Sequence, residues 1–205
     1  LYSLLKGPDY RIEKDFEKIE SIKKQSIEKY LVNASDEKQK YLIDICCECE
    51  NINKQTEWET TDALKIIFDV LPDKLYVDMV KYYIEKNSSL NFYPSSLIKK
   101  LFSLISKDEV FNLINNSDFK YKNFWLFMYF SELPQELIDK SDLQNMYNFL
   151  KDNSDKNITS SYYRDLNFLE KYQNIDKNIF IKGCEIILSK KTYSLFVVHI
   201  YFHSL

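Results

Sequence analysis

The 205 residues suffice to bury a sizeable core in one or two domains, and 45% hydrophobic with 29% charged residues describes globular material, not a disordered tail. A net charge of −3, with acidic and basic residues interleaved as in "RIEKDFEKIESIKK", supplies no bulk attraction to phosphate backbones. Only Gly7 and Gly183 are glycine, which argues against a phosphate-cradling loop and against tight turns that need positive φ.

The chain begins at Leu1 without a charged n-region or cleavage site, and reads as a fragment of a larger protein. From Asp9 to Val32 the residues Ile12, Phe16, Ile19, Ile27, Tyr30 and Leu31 share one helical stripe, which predicts the longest helix. "ASDE" at 34–37 offers capping oxygens for the next helix. "CCEC" follows, placing Cys46, Cys47 and Cys49 close together. With four cysteines in all, the count is no secreted disulfide framework, and a cytoplasmic location is expected. "TTDA" at 60–63 caps a helix carrying Ala63, Ile67, Val70 and Leu71. Tyr76, Val80, Tyr83 and Ile84 continue the spacing, then Leu97, Leu101, Leu104 and Ile105 after "PSSL". Pro72, Pro94 and Pro134 stand where helices should end or begin, and "TSSY" at 159–162 offers another cap. Alternation of period two is missing, and the longest apolar run, 124–130, is too short to span a bilayer. The reading is all-α, with about eleven helices, no membrane span and no cofactor.

One pattern recurs along this series. "KIIFDVLP" at 65–72, "FMYFSELP" at 127–134 and "VHIYFHSL" at 198–205 each carry Phe, two variable residues and Leu, twice followed by Pro. Between them Leu71, Pro72 and Leu75 align with Leu133, Pro134 and Leu137, and Ser95 and Ser96 align with Ser160 and Ser161. "DEVF" at 108–111 falls on "KNIF" at 177–180. A unit of 62 to 72 residues holds two helix hairpins, the scale of stacked helical arrays. The predicted organisation is an N-terminal helical segment at 1–59 packed on a repeat array at 60–205, with units 60–133 and 134–205. Phe68, Leu71, Phe130, Leu133, Phe202 and Leu205 would fill the core between repeats, while Pro72 and Pro134 reset the chain direction.

Chemistry-bearing residues are few. Cys46 and Cys49 could face together on a helix, but the usual zinc spacing and second cysteine pair are missing, so packing is the preferred role. His199 and His203 lie four apart without the Glu of a zinc-protease "HExxH". No carboxylate pair or nucleophile with its base is marked out. Lys99 with Lys100, and Lys190 with Lys191, are short basic patches best read as solvated faces. In "YKNFWLFMYF" at 121–130 most rings belong to a core, with Tyr121 and Trp125 as candidates for lining a binding groove.

Short helices rich in Phe, Leu and Tyr, joined by Asn, Ser and Lys and almost free of glycine, resemble the α-solenoid sensor regions of large bacterial STAND-type NTPases, many of them in anti-phage defence. The resemblance spans about 60–205. The tetratricopeptide "WxxLGxxY" and ankyrin "TPLHxA" patterns are missing, so it implies a HEAT-like array, and without a Walker motif any NTPase core lies outside the sequence. It implies a non-catalytic module that binds a protein partner. A nucleic-acid-binding helical array, and a helical domain of an enzyme whose site is elsewhere, are the alternatives.

Overall fold

A computed structural model describes residues 16–32, 34–48, 64–86, 94–153, 167–189 and 195–204. The described residues are helical and contain no strand. The helices are α1 (Phe16–Val32), α2 (Asp36–Glu48), α3 (64–70), α4 (Asp73–Glu85), α5 (Ser95–Leu104), α6 (Lys107–Asn115), α7 (Lys122–Glu132), α8 (Lys140–Asp152), α9 (Lys177–Leu188) and α10 (Leu195–Ser204). Short 3-10 turns occupy Gln135–Leu137 and Asn167–Tyr172. No helix among the described residues is long and apolar enough to cross a membrane. The predicted caps at 60–63 and 159–162, and the part of the first helix before Phe16, lie outside the described residues.

The chain divides into two compact units. The first takes Leu1–Leu104 and Leu113–Lys122, the second Ile105–Asn112 and Asn123–Leu205, so the division runs through the segment read as the first repeat. In the first unit α2 packs on α4 and α4 on α5. Leu64, Ile67, Phe68 and Leu71 are buried along α3 and its end; of the residues the spacing marks, Ile67 and Leu71 are buried, Val70 is half-buried and Ala63 lies outside the described residues. Phe68 meets Tyr76 and Tyr83 edge-on at centroid distances of 6.0 and 5.8 Å, a favoured arrangement for aromatic pairs.

In the second unit α9 packs on both α8 and α10, and α10 also touches the 167–172 turn. Every residue of α7 from Phe124 to Phe130 is buried, as expected of a helix apolar on all sides. Phe130 sits among the rings of Phe111, Tyr129 and Phe149.

The two Leu-Pro breaks share their local geometry. Pro72 and Pro134 have nearly the same backbone angles, φ −59°, ψ 141° and φ −58°, ψ 136°. Leu71 N–H donates to the Ile67 carbonyl and Leu133 N–H to that of Tyr129, while Leu75 and Leu137 donate back to Pro72 and Pro134. In each unit a lysine from a later element reaches the carbonyl just before the proline. Lys100 Nζ donates to Leu71 O at 3.3 Å, and Lys171 Nζ to Leu133 O at 2.9 Å.

At the second break the reason can be followed atom by atom. Pro134 has no N–H to offer the Phe130 carbonyl four residues earlier. The Tyr172 hydroxyl takes that place at 3.0 Å, and Lys171 also caps Ser131 O at 2.6 Å. Burial raises the Tyr172 pKa well above its ordinary value, so the hydroxyl remains a donor. Lys171→Met should leave two carbonyls without this donor and lower the unfolding free energy of the second unit by about 1–3 kcal/mol. Urea unfolding followed by Trp125 fluorescence, with Trp58 replaced by Phe, measures it. An unchanged midpoint would show that the carbonyls find other donors.

Candidate functional site

A dense polar cluster lies in the second unit, around the starts of α6 and α8. Lys107 is the first residue of α6, and its side chain is 16% exposed. Its Nζ donates to Asp142 Oδ2 at 2.6 Å, Asp139 Oδ2 at 2.6 Å and the Leu137 carbonyl at 2.8 Å, which uses all three ammonium protons.

Both aspartates are positioned by helix capping. Asp139, in extended backbone, caps α8 by accepting from the Ser141 and Asp142 amides. Asp142 in turn accepts from Asp139 N–H at 2.9 Å, completing a reciprocal capping box. The Tyr129 hydroxyl reaches Asp142 Oδ1 at 3.3 Å from α7. Asp142 is thus a buried carboxylate supplied with three kinds of donor: an ammonium, an amide and a phenol.

The electrostatics follow. Burial pushes the Tyr129 phenol up, and the Asp142 charge adds to it, so it does not ionise in ordinary buffers. Burial opposes the charge on Lys107, but the hydrogen bonds to Asp139 and Asp142 outweigh it and raise its pKa. The Lys107 and Ser141 hydrogen bonds hold the Asp139 carboxyl well below the usual range. A depressed carboxylate contributes stability above its unfolded pKa of about 4 and loses it as pH falls towards the folded value. A raised lysine contributes below about pH 10.4 and loses its share as pH rises through the folded pKa. Stability of this unit should therefore be flat near neutrality and decline below about pH 4. Asp139→Asn, which keeps a capping oxygen, should make the acid decline shallower and cost about 1 kcal/mol or less at pH 7 because Asp139 is half-exposed. Urea midpoints from pH 2 to 7 test this, and an acid slope identical to that of the parent protein would refute it.

A second cluster, in the first unit, joins α2 and α4. The Tyr82 hydroxyl donates to both oxygens of Asp44 at 2.8 and 3.0 Å, and Lys86 pairs with Asp44 at 2.7 Å. Lys40 and Lys86 lie over the Tyr82 ring at 5.3 and 4.9 Å from its centroid, within cation–π range. Neither cluster sets a nucleophile beside a base. In both, cations, carboxylates and phenols tie helices together.

The residues singled out in the sequence fall as follows. Phe68, Leu71, Phe130 and Leu133 are buried, with Pro72 and Pro134 half-buried at the breaks. Phe202 was expected in the core and is instead 66% exposed, with Tyr201 edge-on to it at 5.6 Å. Leu205 lies outside the described residues. Trp125 was a candidate for lining a groove, but it is 2% exposed within the all-round apolar helix α7 and belongs to the core. Tyr121 is half-buried, with Lys120 over its ring at 5.1 Å.

Lys100, one of the basic-patch residues, pairs with Asp73 at 3.2 Å and lies 4.4 Å from the Tyr76 ring centroid, besides capping Leu71. Lys99 is exposed, while Lys190 and Lys191 lie outside the described residues. Cys47 is half-buried, and Cys49 and the side chains of Cys46 and His199 are likewise outside; His203 is exposed. No group of three metal-competent side chains occurs among the described residues. The fourth cysteine, Cys184, is buried in α9, where burial pushes its thiol up to about 12.

Lys107, Asp139 and Asp142 were missed in the sequence. "IDKSD" at 138–142 does carry the capping signal, an Asp followed three residues later by a second carboxylate. Nothing local announces that a lysine about 30 residues earlier will reach them. No family model matches the chain, and neither a curated protein nor a solved structure does.

Proposed function

We propose that the chain is a non-catalytic helical-repeat module that binds a protein partner, a HEAT-like sensor or interaction segment of a larger cytoplasmic bacterial protein, as in STAND-type NTPases. The observation that carries this reading is the recurrence of the lysine-capped Leu-Pro break, with the same proline conformation and amide pairings, in both compact units. One helix hairpin cannot bury its apolar face alone, and stacking such hairpins leaves long faces free for recognition. The exposed large apolar side chains Ile22, Tyr41, Leu137 and Phe202 are where contacts with a protein would begin.

The test uses the whole chain as bait in extract of the cells that make it, with Phe202→Glu as the matched variant. A specific protein partner should be retained at least tenfold less by the variant, with both baits unfolding at the same temperature. Retention unaffected by Phe202→Glu and by Tyr41→Glu would refute a partner on these faces. Micromolar binding to single- or double-stranded nucleic acid, falling steeply with salt, would replace this reading with the nucleic-acid alternative.

A further inference from the structure

Three helices that start within the second unit begin on the same tripeptide pattern, with Ser106, Asp139 and Asp176 at the capping position, 33 and 37 residues apart. Each is preceded by isoleucine (Ile105, Ile138, Ile175) and followed by lysine (Lys107, Lys140, Lys177). Four residues after each cap stands a fully buried apolar residue, Val110, Leu143 or Phe180, so isoleucine and this residue occupy the two hydrophobic-staple positions. The caps are made. Ser106 and Glu109 bond reciprocally, Asp139 and Asp142 do the same, and Asp176 accepts from the Asn178 and Ile179 amides.

What links the three is the lysine. Lys107, first in α6, holds the capping carboxylate of α8, Asp139, at 2.6 Å. Lys140, first in α8, holds the capping carboxylate of α9, Asp176, at 2.8 Å. At Asp176 one oxygen takes both helix amides and the other takes the lysine, and these bonds together lower its pKa.

We infer that these pairs are successive rungs of one ladder, a conformational device in which the first lysine of each helix start steadies the cap of the next. The module is therefore 33–37 residues long, about half the unit suggested by the Phe-x-x-Leu pattern. The outer rung is solvent-exposed at Lys140, 71%, and a rung of that kind contributes too little to hold α9 in place; α8–α9 packing does that. Its effect is to fix how the cap sits, and it needs no partner protein.

Site-resolved amide exchange of the intact chain tests the ladder. Lys140→Met should speed exchange of the Asn178 and Ile179 amides about two- to fivefold while leaving Ser141 and Asp142 unchanged; Lys140→Arg should restore the parent rates and Lys140→Glu should exceed the Met effect. In the complementary experiment Asp139→Asn, which retains the cap, should speed Ser141 and Asp142 and leave Asn178 and Ile179 alone. Unchanged rates at Asn178 and Ile179 in Lys140→Met, an Arg variant as fast as the Met variant, or acceleration spread evenly over all helices would each overturn the ladder.

Discussion

Phe130→Ala is expected to lower the unfolding free energy by about 3–5 kcal/mol, while Phe202→Ala changes it by less than about 0.5 kcal/mol. The two residues occupy the same place in the recurring Phe-x-x-Leu pattern, so the sequence gives no ground for treating them differently. The structure does. Phe130 is 1% exposed, with three rings around it at centroid distances of 5.3 to 6.3 Å. Truncation removes its transfer free energy and leaves a cavity among rigid aromatic neighbours that cannot close over it. Phe202 is 66% exposed beside the Tyr201 ring, so truncation removes surface most of which was never taken from water. Phe68→Ala should follow Phe130, since Phe68 is equally buried between Tyr76 and Tyr83. Urea unfolding of the three variants, read by circular dichroism, decides the matter. Comparable losses at positions 130 and 202 would contradict the burial.

The helical class was legible because apolar spacing at three and four is a local property. Ile67 and Leu71, and Tyr76, Val80, Tyr83 and Ile84 on α4, are buried where that spacing puts them, whereas Val70 is half-buried. Proline positions were legible for the same reason: a residue without N–H marks a break wherever it stands. The direction in which a helix faces its surroundings was not. Seven successive buried residues on α7 have no polar face to reveal a side, and so Trp125 could not be distinguished from a groove-lining ring. On α10, apolar on nearly every side, Phe202 could not be placed either. The polar cluster was hidden for another reason. Lys107 meets Asp139 and Asp142 across 32 and 35 residues, and a charge pattern reads only three or four ahead on one helix. The spacing of helix starts was obscured by aligning 108–111 with 177–180, whereas the caps align Ser106 with Asp176, one residue out of that register.

Lys107→Met should cost about 3 kcal/mol. The figure comes from what stays behind. Asp142 is 2% exposed, and removing the ammonium leaves its carboxylate buried with only the Asp139 amide and the Tyr129 hydroxyl. Breaking a buried pair on one side costs about 3–5 kcal/mol, and the two surviving donors place this case at the lower end. Methionine keeps most of the apolar stem, so lost packing contributes little. Asp142→Asn should cost only about 1 kcal/mol, because asparagine still accepts from Asp139 N–H and Lys107 keeps Asp139 and the Leu137 carbonyl. Combining the two removes both charges, and the double variant should lie within about 1 kcal/mol of Asp142→Asn alone. Urea midpoints of the four proteins close the cycle. A strongly favourable coupling assigns the Lys107→Met loss to an unpaired buried carboxylate. Additive losses would mean that the lysine acts through its stem and the Leu137 carbonyl, and that Asp142 holds its place by capping alone.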